Sequence, residues 1–281
     1  MADISWGLRA HTLLARAGFR AQHSLGQNFL LDDQVLSRLI DLSGVGPDYA
    51  VLEIGPGPGV MTRLLAGRVK RVTAVEIDRA LEPVLSEMLA GVENAEVVYK
   101  DAMKADLSEF VDGPFRVVAN LPYYITADAI LKVLNSGLPV RSLSVMVQKE
   151  AAERMLSQPG EKNWCLLAAT VSYFADAAVL AEIPPEAFEP RPHVASAFLH
   201  LDVYREKPVK PADEALFLKV LAAAFAMRRK TLANNLKAAF DLTSEAAKEI
   251  VRSVGEDERV RGEALTIQKL AEVADAIRGS G

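Results

Sequence analysis

The feature that most narrows the fold is an alternation of five short apolar runs with helical segments between residues 51 and 148. The runs are Val51-Leu-Glu-Ile54, Arg71-Val-Thr-Ala-Val-Glu-Ile77, Ala95-Glu-Val-Val-Tyr99, Phe115-Arg-Val-Val-Ala119 and Leu143-Ser-Val-Met-Val147. They are rich in β-branched residues, and helical stretches such as Met61 to Gly67 and Arg79 to Leu89 lie between them. Strands separated by helices return to one sheet through right-handed crossovers, so an α/β fold with a mainly parallel sheet is expected. Two later runs, near 177–182 and 195–203, could add closing strands.

With 281 residues, half of them apolar, the chain can form one or two domains with a sizeable core. Lys207-Pro-Val-Lys-Pro211 reads as a linker, because two prolines interrupt any regular element. Beyond it the pattern turns helical over 214–226, 229–240, 244–253 and 266–277. Residues 1–205 are therefore read as an α/β domain and 206–281 as a small all-helical one. No apolar run approaches the ~20 residues needed to cross a bilayer. The N-terminus lacks the layout of a secretory signal. With Arg9, Arg16 and Arg20 against the single early acid Asp3, it reads as an ordinary helix in preference to a transit peptide. One cysteine, Cys165, leaves no intrachain disulfide, and the four histidines show no metal-ligand spacing. A cytoplasmic protein without a metal or a membrane partner is expected.

The net charge of −5 argues against a nucleic-acid partner until its distribution is considered. Between Arg205 and Lys237 eight basic residues face three acids. Because screening confines each charge to about 10 Å, such a local patch can still bind phosphates.

Glu53-Ile-Gly55-Pro-Gly57-Pro-Gly59 follows the first run and opens a helix. Its G-x-G-x-G spacing places Val60 where a dinucleotide fingerprint requires glycine, and no P-loop Lys-Ser/Thr follows. Glu76, about 20 residues on, ends the second run, where a carboxylate can accept both ribose hydroxyls. Asp101 follows the third run and could take an adenine amino group. Asn120 follows the fourth. Each acid alone could be a helix cap or a loop end. Together, in strand order, they point to a nucleoside-type cofactor.

Asn120-Leu-Pro-Tyr123 carries the chemistry. The exocyclic amine of adenine is a poor nucleophile because its lone pair is delocalised into the ring. Two acceptors, the Asn120 side-chain oxygen and the backbone carbonyl of Leu121 or Pro122, could draw the nitrogen towards a tetrahedral geometry. Positioning and electrostatics would carry the rate. Tyr123 offers a ring to stack on an extruded base.

In these motifs the sequence resembles the ribosomal RNA adenine dimethyltransferase family of the KsgA type, over roughly residues 20–270. The resemblance rests on Leu25-Gly-Gln-Asn-Phe-Leu30, the loop Glu53 to Gly59, Asn120 to Tyr123, Val147 to Glu150 with Glu153-Arg154, Phe188 to Val194 with Ser196, and Phe225 to Leu232 with Asn234-Asn235-Leu236. It implies a Rossmann-like class I methyltransferase with a seven-stranded, mainly parallel sheet. It further implies an S-adenosylmethionine site lined by Gln27, Asn28, Leu30, Gly55, Gly57, Gly59, Glu76, Ile77, Asp101, Ala102 and Asn120. Asn120, Leu121, Pro122 and Tyr123 would hold the target adenine, with Phe188 as a second stacking platform. Arg228, Arg229 and Lys230, in a basic helical signature, would contact RNA phosphates. The implied activity is dimethylation of two adjacent adenosines near the 3′ end of small-subunit rRNA, in a pre-30S-type particle, by a monomer. His23, His193, Ala195 and Trp164-Cys165 depart from the family pattern and bear on RNA contacts. Rival readings are a related methyltransferase of large-subunit rRNA, a non-catalytic ribosome-assembly or transcription factor, and a nicotinamide dehydrogenase. The proline segment and basic signature oppose the first, the intact Asn120 loop the second, and Val60 the third.

Overall fold

The structure is a computed structural model that describes residues 5–279, the His23 side chain excepted. Asp3 lies outside the described residues. The chain forms two compact units, one of residues up to 152 with 177–203, the other of 153–176 with 204 onward.

In the first unit, in chain order, are α1 (Trp6–Arg16), β1 (Phe29–Leu30), α2 (Asp33–Leu42), β2 (Ala50–Ile54), α3 (Val60–Ala66), β3 (Arg71–Glu76), α4 (Glu82–Met88), β4 (Ala95–Tyr99), β5 (Phe115–Asn120), α5 (Thr126–Leu134), β6 (Val140–Gln148) and the start of α6 (Lys149–Met155). After α7 (Leu166–Phe174) of the second unit come β7 (Ala175–Ile183), β8 (Phe188–Glu189) and β9 (Ser196–Val203). Seven strands form one sheet in the order β4-β3-β2-β5-β6-β9-β7. The pairs β4–β3, β3–β2, β2–β5 and β5–β6 are parallel, and β6–β9 is antiparallel. Both later runs thus join the sheet as the closing strands expected of them.

Successive residues of the central strands are buried, as in a sheet covered on both faces. Four of the five residues of β2 are buried, whereas only intermediate or exposed positions occur along the edge strand β4. Helix α2 shows how the helices are set. Asp32 caps it by accepting from Gln34 and Val35 N–H at 2.8 and 3.0 Å. Its stripe of Leu36, Leu39 and Ile40 is at most 2% exposed, and each such side chain contributes about 1.5–3 kcal/mol on burial. Asp33 in turn accepts from Trp6 and Gly7 N–H, both at 2.7 Å, and so ties down the N-terminus of α1. A side chain at Gly7 would stand 1.7 Å from the Leu31 carbonyl oxygen, so only glycine allows this approach.

The strand order runs outward in opposite directions from β2 and β5. That switch point opens a crevice beyond the carboxyl ends of the parallel strands, where open α/β sheets bind ligands. The glycine loop after β2, Glu76 at the end of β3, Asp101 after β4 and Asn120 at the end of β5 all open onto it.

The second unit adds α8 (Glu214–Ala226), α9 (Leu232–Phe240), α10 (Ser244–Ser253) and α11 (Ile267–Gly279) to α7. Residues 153–176, which the sequence reading assigned to the α/β domain, pack here instead. Trp164 meets Phe225 edge-on at 6.1 Å, Tyr173 packs on Phe217 at 4.7 Å, and the Lys207 ammonium lies over the Tyr173 and Phe174 rings. Trp164 is 1% exposed and Cys165 is the N-cap residue of α7, so this departure from the family pattern sits in packing.

Candidate active site

The crevice encloses a cavity of about 230 Å³, and the segment before the sheet forms one wall of it. Four contacts hold that segment in place. The Gln22 and Gln27 amides donate to Asp78 at 3.1 and 2.9 Å, the Asn28 carbonyl accepts from Asn120, and β1 pairs antiparallel with β8. Gln27 lines the cavity, but its amide is spent on this fastening, since its oxygen also accepts from Gln22 N–H at 2.7 Å. Phe29 lies against the glycine loop. Gly57 has φ of +57°, and a Cβ there would stand 2.9 Å from the Phe29 ring. Both the left-handed backbone and the close approach demand glycine.

Glu76 is 4% exposed. Its two oxygens each accept one backbone N–H, from Gly57 at 3.2 Å and from Asp78 at 2.8 Å. Burial raises its pKa, and those backbone donors partly offset the rise. Ile77 N–H also points at the carboxylate, which with about four acceptor positions in all retains capacity for a ribose hydroxyl. Asp101 accepts from Met103 N–H at 2.9 Å with one oxygen and meets Lys104 at 3.3 Å with the other. Apolar Ile77 and Ala102 line the cavity with it. These acceptors, two carboxylates beside apolar walls and a glycine cradle, fit a nucleoside.

Asn120 closes the other end. Its Nδ2 donates to the Asn28 carbonyl at 2.9 Å, which fixes the orientation of the amide and leaves Oδ1 as an acceptor. In the loop that follows, the Pro122 carbonyl accepts from Ile125 N–H at 3.1 Å and from the Thr126 hydroxyl at 3.2 Å. Tyr123 is half-buried, and its hydroxyl is hydrogen-bonded to Ser196 at 2.7 Å. Burial raises the Tyr123 pKa, and the Ser196 bond moderates the rise.

The cavity therefore gathers Gln27, Asn28, Leu30, Gly55, Gly57, Glu76, Ile77, Asp101, Ala102, Asn120, Leu121, Pro122 and Tyr123. Two of the expected residues do not line it. Gly59 is the N-cap residue of α3, packed at Leu85 and Met88. Phe188 is 4% exposed and belongs to the core with Leu30, Ile183 and Phe198, because its strand β8 is drawn inward by β1. An exposed aromatic ring on the cavity wall is supplied instead by Tyr124, 59% exposed. The expected helical setting of Arg228, Arg229 and Lys230 is also corrected. They occupy a turn between α8 and α9, because Thr231 caps α9 by accepting from Asn234 N–H. Arg228 is bound to Glu263 at 2.8 Å and to the Lys162 carbonyl at 3.0 Å, while Arg229 and Lys230 are exposed.

Three residues to which the sequence assigns no role of their own matter here. Asp78 anchors the pre-sheet segment, and Ser196 holds Tyr123. Glu53, fully buried beneath the glycine loop, has no hydrogen-bond partner for either oxygen among the described residues. Burial, only partly offset by the nearby Thr62 hydroxyl and reinforced by the Glu76 charge, pushes its pKa up to about 8. A glutamate inside an apolar strand was the available signal.

With this geometry in view, the comparisons with known proteins are specific. Ribosomal RNA small subunit methyltransferase A of Geobacillus thermodenitrificans (strain NG80-2) is 41% identical over 284 residues, spanning 98% of this chain and 97% of the relative. The protein of the same name from Bacillus licheniformis is 40% identical, spanning 98% of each. Among solved structures, a dimethyladenosine transferase from Plasmodium falciparum shares the fold (TM-score 0.70, 23% identity, 85% of this chain and 94% of that one). So does the 23S rRNA methyltransferase ErmE (TM-score 0.65, 25% identity, 89% and 100%). The fold is that of the class I methyltransferases. The family described as ribosomal RNA adenine dimethylase matches residues 18–276, and the chain belongs to that family.

Proposed function

We propose that the protein dimethylates N6 of two adjacent adenosines near the 3′ end of small-subunit rRNA within a pre-30S-type particle, using S-adenosylmethionine. The observation that carries this reading is the Asn120 amide, oriented by the Asn28 carbonyl at the end of a nucleoside-sized cavity. When bound, S-adenosylmethionine supplies an electrophilic methyl group and departs as neutral S-adenosylhomocysteine. Glu76 would hold its ribose, Asp101 its adenine amino group, and the glycine loop its backbone-facing tail.

The chain's own residues then act on the target base. In the first of the two transfers Asn120 Oδ1 accepts one N–H of the exocyclic amine. The Leu121 carbonyl accepts the other, since that of Pro122 is already engaged by Ile125 and Thr126. Held between two acceptors, the nitrogen gives up conjugation and turns its lone pair out of the ring plane. Tyr123 stacks on the base. No strong base is required, because the proton passes to solvent after the carbon–nitrogen bond has formed and made the nitrogen cationic. Orientation and fixed dipoles supply the acceleration. Arg229 and Lys230, with Arg228 beside them, meet RNA phosphates, and the shape of folded RNA supplies the rest of the recognition.

The test is transfer of labelled methyl groups to undermethylated ribosomal subunits. Label in small-subunit rRNA is the expected result. Label confined to large-subunit rRNA would move the protein to the branch of the 23S enzyme, and none in either, with cofactor bound, would leave an assembly factor.

A further inference from the structure

Ser196 has no place in the chemistry above, yet it is bound directly to Tyr123. It opens β9 opposite Gln148 of β6 and is completely buried. The carbonyl of the preceding residue, Ala195, accepts from Lys149 N–H at 3.0 Å, so both sides of Ser196 are locked into the sheet. Its Oγ lies 2.7 Å from the Tyr123 hydroxyl, across 73 residues of sequence. Tyr123 itself stands on a loop that leads into α5, a helix without a side-chain cap.

A phenol oxygen lies on the axis about which its ring turns. A hydrogen bond to it leaves ring flips free but fixes where that axis points, and so excludes the other staggered χ1 wells. A stacking ring must be placed within about 0.5 Å to serve a reaction that depends on positioning. Buried in the sheet, Ser196 is a rigid point from which to hold it.

We propose that Ser196 is a positioning residue for methyl transfer: it clamps the Tyr123 ring axis to the β6–β9 edge, so that the ring meets the target adenine in one orientation. This rests on the reading that Tyr123 stacks on that adenine. The residue acts only through Tyr123, which makes the inference testable by a double-mutant cycle.

The experiment uses the full chain, saturating S-adenosylmethionine and undermethylated small subunits, with Ser196→Ala, Tyr123→Phe and the double variant. Each single change removes the same hydrogen bond from one side and is expected to lower kcat roughly three- to tenfold, the worth of one neutral hydrogen bond. KM for the cofactor is expected to stay unchanged, and the double variant to be no slower than the slower single. Independent, additive losses, or a fully active Ser196→Ala enzyme, would overturn the clamp. If Ser196→Ala fails to fold, Tyr123→Phe alone decides, since full activity there shows that the bond does no work in positioning. Parent protein that transfers nothing to small subunits would instead remove the proposed function and the clamp with it, an outcome distinct from an active parent with additive variants.

Discussion

Glu53 and Asn120 show how single side chains are set by what surrounds them. Glu53 is a fully buried carboxyl whose desolvation the nearby Thr62 hydroxyl offsets only in part, so it is held protonated up to about pH 8. A group that binds its proton more tightly when folded contributes stability fully below its ordinary value of 4.5, and that contribution is lost as pH rises to about 8. Glu53→Gln keeps a neutral side chain of the same shape. Thermal melts across pH should therefore show the variant gaining on the parent between those values, by a few kcal/mol at the alkaline end. A margin that does not change with pH would refute the assignment. Asn120 is the reverse case, a polar group whose donor is satisfied so that its acceptor stays available. Asn120→Ala should leave cofactor affinity within a few-fold and reduce methyl transfer by roughly a hundredfold or more, the usual cost of deleting one preorganised polar contact to a transition state. Equal losses in cofactor binding and turnover would instead mean that the residue serves the cofactor.

Among elements, the glycine loop and the pre-sheet segment behave as one unit. Gly57→Ala forces a left-handed conformation on an L residue, at about 1–2 kcal/mol, and drives a methyl group into the Phe29 ring. Calorimetric titration with S-adenosylmethionine should show affinity reduced about tenfold or more, and an unchanged affinity would separate the two segments. This coupling was not legible in the sequence, whereas much else was. The strands between 50 and 148 announce themselves because each is a short β-branched run ending at glycine, acid or amide. The helices 214–226 and 244–253 fall where their capping Asp213 and Thr243 place them. Contacts between distant segments leave no periodic trace. Leu166 to Phe174 is apolar nearly throughout and so does not say which core it enters. Phe188 carries no mark of being drawn inward by β1, and neither Asp78 nor Ser196 signals a partner more than 50 residues away. The basic triad was displaced from helix to turn by one residue, Thr231, whose capping geometry starts α9 after it.

For the molecule as a whole, charge distribution matters more than the net value of −5. Arg228 is already neutralised by Glu263, so Arg229 and Lys230 should carry most of the patch's attraction for phosphate. Replacing all three with glutamine should weaken binding to small subunits and flatten the dependence of log affinity on log salt by about 0.7–0.9 for each phosphate that is no longer neutralised. S-adenosylmethionine affinity should be untouched. A salt slope equal to the parent's would take this turn out of the interface.

In this protein a cavity suited to a nucleoside cofactor presents an oriented amide to an adenine of small-subunit rRNA. The most direct test is mass spectrometry of rRNA digested after incubation of undermethylated small subunits with the parent protein or with Asn120→Ala. N6,N6-dimethyladenosine is expected at two adjacent positions near the 3′ end with the parent and almost none with the variant. Modification elsewhere, or equal yields from both proteins, would contradict it.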